Sequence, residues 1–121
     1  MRLSVLPGSE IPVYRQIFSQ ISSQILSGAL PAGEALPPIR TVSKELGVSV
    51  ITVRGAWDAL EAAGLIETRT GSGCFVKALS GSEREEMRSQ AIEKALSEYI
   101  ENAKSLGYSE REAENLLREY W

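Results

Sequence analysis

The sequence predicts a mainly α-helical fold with one small β-hairpin, built as an N-terminal head followed by a two-helix tail. Three observations carry that prediction. Apolar residues recur at helical spacing in five separate segments. One Gly-rich turn, "TGSG", joins two short apolar runs, which is a hairpin signature. The charge also changes character near Ser80-Gly81: residues 1–78 hold seven Lys/Arg and six Asp/Glu, net +1, and residues 79–121 hold six and ten, net −4. With 43% apolar and 24% charged residues, the 121-residue chain has the make-up of a soluble globular protein. These features divide it into residues 1–79 and 80–121.

The first helix is expected over residues 11–27, with Tyr14, Ile17, Phe18, Ile21, Ile25 and Leu26 on one stripe, Pro12 in the first turn and Gly28 at the exit. "GALPAGEALPP" then reads as an ordered turn region. A second helix starts near Pro38 and runs to about Leu46, its inner face formed by Ile39, Val42 and Leu46, with Gly47 closing it. Ser49 caps a third helix over about 50–63. The hairpin follows as "LIETR", "TGSG" and "CFVK", anchored by Leu65, Ile66, Phe75 and Val76. Helix, helix, turn, helix and ribbon in that order make a winged helix-turn-helix.

In the tail, "SEREEM" and "SEREAE" each open with serine and place glutamate three residues later. Both predict capping boxes, Ser82 with Glu85 and Ser109 with Glu112, in which serine and glutamate satisfy each other's orphan backbone donors. A fourth helix over about 83–105 carries Met87, Ala91, Ile92, Ala95, Leu96, Tyr99, Ile100 and Ala103 on one side. A fifth, over about 110–120, carries Ala113, Leu116, Leu117 and Tyr120. Helices with such apolar faces need a covering partner. Either the tail folds back on its own head or a second copy covers it in a symmetric dimer. The second reading makes Met87, Ile92, Leu96, Tyr99, Ile100, Leu116, Leu117 and Tyr120 the dimerisation residues. Trp121 either caps that seam or stands in solvent.

Several function classes drop out. Histidine is absent and Cys74 is the single cysteine, which removes a structural zinc site, an internal disulfide and a nucleophile–histidine pair. No carboxylate pair or phosphate-binding glycine loop argues for an enzyme, so neither catalysis, a metal nor a cofactor is expected. No apolar run reaches the roughly 18 residues of a membrane span, and the first ten residues lack a signal peptide's apolar block. The expected location is cytoplasmic. Cys74 is read as a small strand residue rather than a redox switch.

The third helix raises the functional question. "VSVITVRGAW" packs four β-branched apolar residues and a threonine into six positions and then places glycine inside a helix. With Val53 at zero and about 100° per residue, Ala56, Trp57, Leu60 and Gly64 share its core face, while Ile51, Gly55, Asp58 and Ala62 lie opposite. Arg54 and Thr52 flank. An outward isoleucine above a glycine suits the major groove of DNA, where thymine offers a methyl group and a glycine permits close approach. Singly, each has an ordinary explanation: exposed isoleucines are common, and a glycine can be drift.

The text "LPPIRTVSKELGVS" followed by "TVRGAWDALEAAGLIETRTGSGCFV", with "PVYRQI" and "SGALPAGEAL" ahead of it, resembles the DNA-binding domain of the GntR family of bacterial transcription regulators over roughly residues 11–77. The short two-helix tail resembles the YtrA-type subfamily. The resemblance implies a transcription regulator, most simply a repressor, that binds a palindromic double-stranded DNA operator as a homodimer. It implies DNA contacts from Arg40, from Ser49, Val50, Ile51, Thr52 and Arg54, and from the wing glycine Gly73. Chemistry adds Gly55, Arg69, Thr70 and Ser72 to that surface. Arginine forks suit guanine or phosphate, and hydroxyls beside a helix N-terminus suit phosphate. Arg69 either serves the wing edge or pairs with Glu67. Pro38 stands where the family often has serine, and Val50 where many members carry a polar residue. Both shift reading toward van der Waals contact and local DNA shape. A small-molecule effector between the tail helices is suggested only by the tail's position. The competing reading is a winged-helix adaptor that binds protein instead of DNA, favoured by the net charge of −3 and the apolar Val50-Ile51 pair.

Overall fold

Isoleucines at every fourth position build the first helix. In a computed structural model describing all 121 residues, Ile17, Ile21 and Ile25 form the buried edge of α1 (Val13–Ser27). Pro12 stands just before the helix rather than in its first turn, its carbonyl accepting from the N–H groups of Arg15 and Gln16. Gly28 ends the helix at φ 88°, a left-handed position suited to glycine. Phe18 and Leu26 are half-buried, but Tyr14 is 41% exposed and does not belong to the core expected of that stripe.

The chain divides into two units, Met1–Gly81 and Ser82–Trp121. In the first, α2 (Ile39–Leu46) and α3 (Val50–Ala62) follow α1. The turn between them is closed twice from Ser43. Its carbonyl accepts from the N–H of Val48 at 3.1 Å, and its hydroxyl donates to the Val48 carbonyl. Ser49 caps α3, its hydroxyl accepting from the N–H of Thr52 at 3.1 Å. Val53, Ala56, Trp57 and Leu60 are buried as one face and pack with Ile17, Ile21, Val42, Leu65, Ile66 and Val76 in the core.

The wing is β1 (Ile66–Arg69) antiparallel to β2 (Gly73–Val76), registered Ile66 to Val76 and Arg69 to Gly73. Gly73 therefore opens a strand, and the turn is the three residues Thr70–Ser72. The Ser72 N–H closes it on the Arg69 carbonyl at 2.9 Å, with Gly71 at φ 79° where such a turn requires glycine. The "GEAL" stretch does more than turn. Leu36 N–H donates to Cys74, and Val76 N–H donates to Glu34, so residues 33–36 cover the free edge of β2.

In the second unit, α5 (Glu110–Tyr120) carries the expected capping box. Glu112 N–H donates to the Ser109 hydroxyl at 3.1 Å, and Ser109 N–H donates to the Glu112 carboxylate at 3.0 Å. α4 (Gly81–Ser105) begins two residues before its expected start, which puts Ser82 inside the first turn, and Glu85 pairs with Arg88 at 3.1 Å. The Tyr99 hydroxyl donates to the Ala113 carbonyl at 2.7 Å, tying α4 to α5. A cleft of ≈ 410 Å³ lies between these helices. Ala103 is the single buried residue of α4, and α5 buries none. Ile92, Leu96, Ile100, Leu117 and Tyr120 stay exposed, with Met87 and Leu116 half-buried. No helix of the chain is long and apolar enough to cross a membrane.

Candidate nucleic-acid interface

Three elements of the first unit converge on one cleft of ≈ 340 Å³. Arg40 reaches it from the first turn of α2, Val50 and Arg54 from α3, and Gly73 from the start of β2. Trp57, buried at 4% exposure, forms part of its lining. The turn closed by Ser43 sets α2 against α3, and the residue 33–36 edge fixes β2, so this convergence follows from local hydrogen bonding. Arg40 and Arg54 are exposed, and neither is paired with a carboxylate. Two unneutralised guanidiniums at the mouth of an apolar-floored cleft form a local cationic site on a head of nearly neutral charge.

Ile51 is 82% exposed at the N-terminal end of α3. Its side chain contributes almost nothing to the core. Ser49 and Thr52 sit beside it with their hydroxyl oxygens 2.8 Å apart. One hydroxyl hydrogen is used between them, which leaves one to donate outward.

The other sequence-derived residues do not join the cleft. Thr70 and Ser72 are exposed at the wing turn. Arg69 is engaged: it pairs with Glu67 at 3.0 Å and lies over the Phe75 ring at 4.3 Å from the centroid. Of the two alternatives left open for it, the pairing with Glu67 is the one formed. Gly55 is half-buried rather than open: a Cβ there would meet Tyr14 Cβ at 3.8 Å and the Tyr14 ring at 3.9 Å, which is ordinary van der Waals contact. The close neighbour is the chain's own first helix.

Sequence reasoning missed Pro37, Ile39 and Cys74 as lining residues of the cleft. The register of β2 determines which strand residues face it, and no periodicity in a four-residue strand reveals that. It also missed a row of glutamines, Gln16, Gln20 and Gln24, whose four-residue spacing was the available signal.

Residues 13–76 match the family model described as bacterial regulatory proteins, gntR family. The HTH-type transcriptional regulator Rv1152 of Mycobacterium tuberculosis is 32% identical over 97% of this chain and 90% of its own length. Against six other curated regulators the match takes in 54–62% of this chain, which spans only 14–31% of their lengths. Among solved structures, a transcriptional antiterminator from Listeria monocytogenes EGD-e is 30% identical with a TM-score of 0.76, covering 99% of this chain and 90% of that one. YtrA from Sulfolobus acidocaldarius, a GntR-family transcription factor, is 32% identical with a TM-score of 0.61, covering 78% and 97%. The DNA-binding domain of AraR, solved in complex with operator ORX1, is 34% identical with a TM-score of 0.55, covering 63% and 98%.

Proposed function

This chain belongs to the GntR family of bacterial regulatory proteins, and from that premise we propose that it is a cytoplasmic repressor that binds a palindromic operator as a homodimer. It is a DNA-binding transcription regulator and not an enzyme. The observation that carries the site is the pair of unneutralised arginines, Arg40 and Arg54, beside an isoleucine left 82% exposed. In this reading Arg54, Ile51 and Val50 meet base edges. Arg40, Ser49 and Thr52 hold phosphate. Thr70, Ser72 and Gly73 bring the wing to the backbone, with Arg69 a peripheral contributor. Gly55 is assigned no contact in this reading, because Tyr14 lies beside it.

One such head reads few base pairs, and a two-fold pair reading half-sites about one helical turn apart supplies the missing specificity. The exposed Ile92, Leu96, Ile100, Leu117 and Tyr120 support the second unit as the dimerisation device, together with Met87, Tyr99 and Leu116. The cleft between α4 and α5 is where a small apolar effector would fit. A thermal-shift screen in which no metabolite changes melting or DNA affinity removes the effector from this proposal.

The test is fluorescence anisotropy with a duplex covering the region upstream of the chain's own coding sequence, titrated with salt. Affinity should fall linearly on logarithmic axes, at a slope of about −0.9 per neutralised phosphate. Arg40→Ala should flatten that slope, and Arg54→Ala should erode discrimination against a scrambled duplex. Binding of neither duplex by the native chain would leave the adaptor reading, whose support is the exposed Ile51 and the net charge of −3, and equal binding to both would remove sequence specificity from the proposal.

A further inference from the structure

The segment ahead of α1 is fastened by an arrangement that the DNA-binding reading does not use. Gln24 donates to the Arg2 carbonyl at 2.7 Å and accepts the Arg2 N–H at 3.3 Å. Gln20 does the same with Ser4 at 2.7 and 3.0 Å. Gln16 does so with Leu6 at 3.2 and 2.8 Å, and its amide also donates to the Ile11 carbonyl at 2.9 Å. Each side-chain amide thus meets one residue's N–H and C=O together, as a neighbouring β-strand would.

The match of repeats explains why three pairs form in a row. Four residues of helix rise about 6 Å, and two residues of extended chain rise about 6.6 Å. Glutamines every fourth position therefore keep step with alternate residues of a strand running antiparallel to the helix. Arg2, Ser4 and Leu6 turn their side chains to solvent, while Leu3 and Val5 are half-buried. The held segment is recognised by its main chain rather than its side chains.

The strap also faces α2. Met1, Leu3 and Ser4 share a cleft of ≈ 670 Å³ with Val42, Glu45 and Leu46, and Gln20 lines the same space. The helix that carries Arg40 packs on α3, and the strap forms a wall of the cleft that α2 lines through Val42, Glu45 and Leu46.

We propose that Gln16, Gln20 and Gln24 are positioning residues. They clamp residues 2–6 as a main-chain strap that holds α2, and with it Arg40, in the orientation DNA binding requires. The inference rests on the DNA-binding reading. Its closing experiment separates the two by pairing amide hydrogen exchange of the full chain with affinity for the duplex upstream of its own coding sequence.

In the native chain the amides of Arg2, Ser4 and Leu6 should be protected and those of Leu3 and Val5 not. Gln16→Ala/Gln20→Ala/Gln24→Ala should abolish that alternation and weaken duplex binding about fivefold or more, the low end of coupling between separate sites. Ser4→Pro leaves α1 untouched, removes one strap N–H and should act in the same direction. Ser4→Ala should change neither readout. In an Arg40→Ala background, Ser4→Pro should cost little further affinity, because the two changes then act through one helix. Absence of the alternation overturns the clamp. Lost alternation with unchanged affinity, or full additivity with Arg40→Ala, overturns the positioning role. A native chain that ignores the duplex overturns the DNA-binding reading, and the positioning role falls with it. The clamp is then judged by the alternation alone.

Discussion

Gly55→Ala should make this protein more stable and leave its DNA affinity unchanged. Glycine inside a helix costs about 1 kcal/mol relative to alanine, because it gives up more backbone freedom on folding. The new Cβ would meet Tyr14 Cβ, Cγ and Cδ2 at 3.8, 3.9 and 4.0 Å, which is van der Waals contact without a clash. Such contacts contribute about 0.1–0.2 kcal/mol per atom pair, so the total gain is about 1–1.5 kcal/mol. For a head of this size each kcal/mol moves the melting temperature by roughly 4–8 °C. Trp57, 4% exposed in the head's core, is the natural fluorescence probe. Trp121, 98% exposed, is replaced by phenylalanine in both proteins to silence it. A destabilised Gly55→Ala chain would mean that the Tyr14 packing is tighter than described. A stabilised chain that no longer binds the upstream duplex would mean that DNA, and not Tyr14, needs that face bare.

Two substitutions two residues apart on α3 should separate folding from binding. Val53→Ala, at a site 0% exposed, should lower stability by roughly 1.5–3 kcal/mol, whereas Ile51→Ala should change it by under about 0.5 kcal/mol and weaken duplex binding several-fold. Equal melting temperatures for the two variants would refute the assigned faces. Ile100→Glu places a charge on the exposed apolar face of α4, and sedimentation should show the native chain as a dimer and the variant as a monomer; an unchanged sedimentation coefficient would move the proposed dimer seam elsewhere. Hydrogen bonds from the backbone N–H and side chain of Ser109 hold the Glu112 carboxyl below its ordinary range. A lowered folded-state pKa stabilises above the unfolded value and loses that contribution as pH falls, so amide protection across α5, corrected for the intrinsic exchange rate at each pH, should fall on the acid side of about pH 4.3. Glu112→Gln should flatten the response, and an identical acid response in that variant would refute the capping account.

What the sequence disclosed depended on how local the cause was. Ser49 and Ser109 act within three residues of themselves, so both caps were legible, and the burial of Val53, Trp57 and Leu60 followed from helical period alone. The start of α4 at Gly81 was missed by two residues, because a pattern three residues long cannot say which turn is first. Gly55 and Tyr14 lie 41 positions apart; the angular reading placed the glycine opposite Val53 but had no means of supplying its neighbour. The edge formed by residues 33–36 and the glutamine strap were hidden for a related reason. Both use main-chain groups as partners, and main chain carries no residue signature.

The poor beginning of α3 is itself evidence about what lies outside it. Val50, Ile51, Thr52 and Val53 cost about 0.5 kcal/mol each in a helix and Gly55 about 1, together about 3 kcal/mol. Against this, the Ser49 cap contributes about 1 kcal/mol, and burial of Val53 and Leu60, each 0% exposed, adds roughly 1.5–3 kcal/mol apiece. Burial therefore wins with only half the helix's circumference engaged. Val53 is β-branched for the core, so one of the five unfavourable residues has its reason inside the fold. Ile51 has none: its side chain is outside the core, forms no cap and lowers helix propensity. A residue that costs the fold and returns nothing to it points to a contact beyond the chain, and the two free arginines next to it give that contact its negative charge.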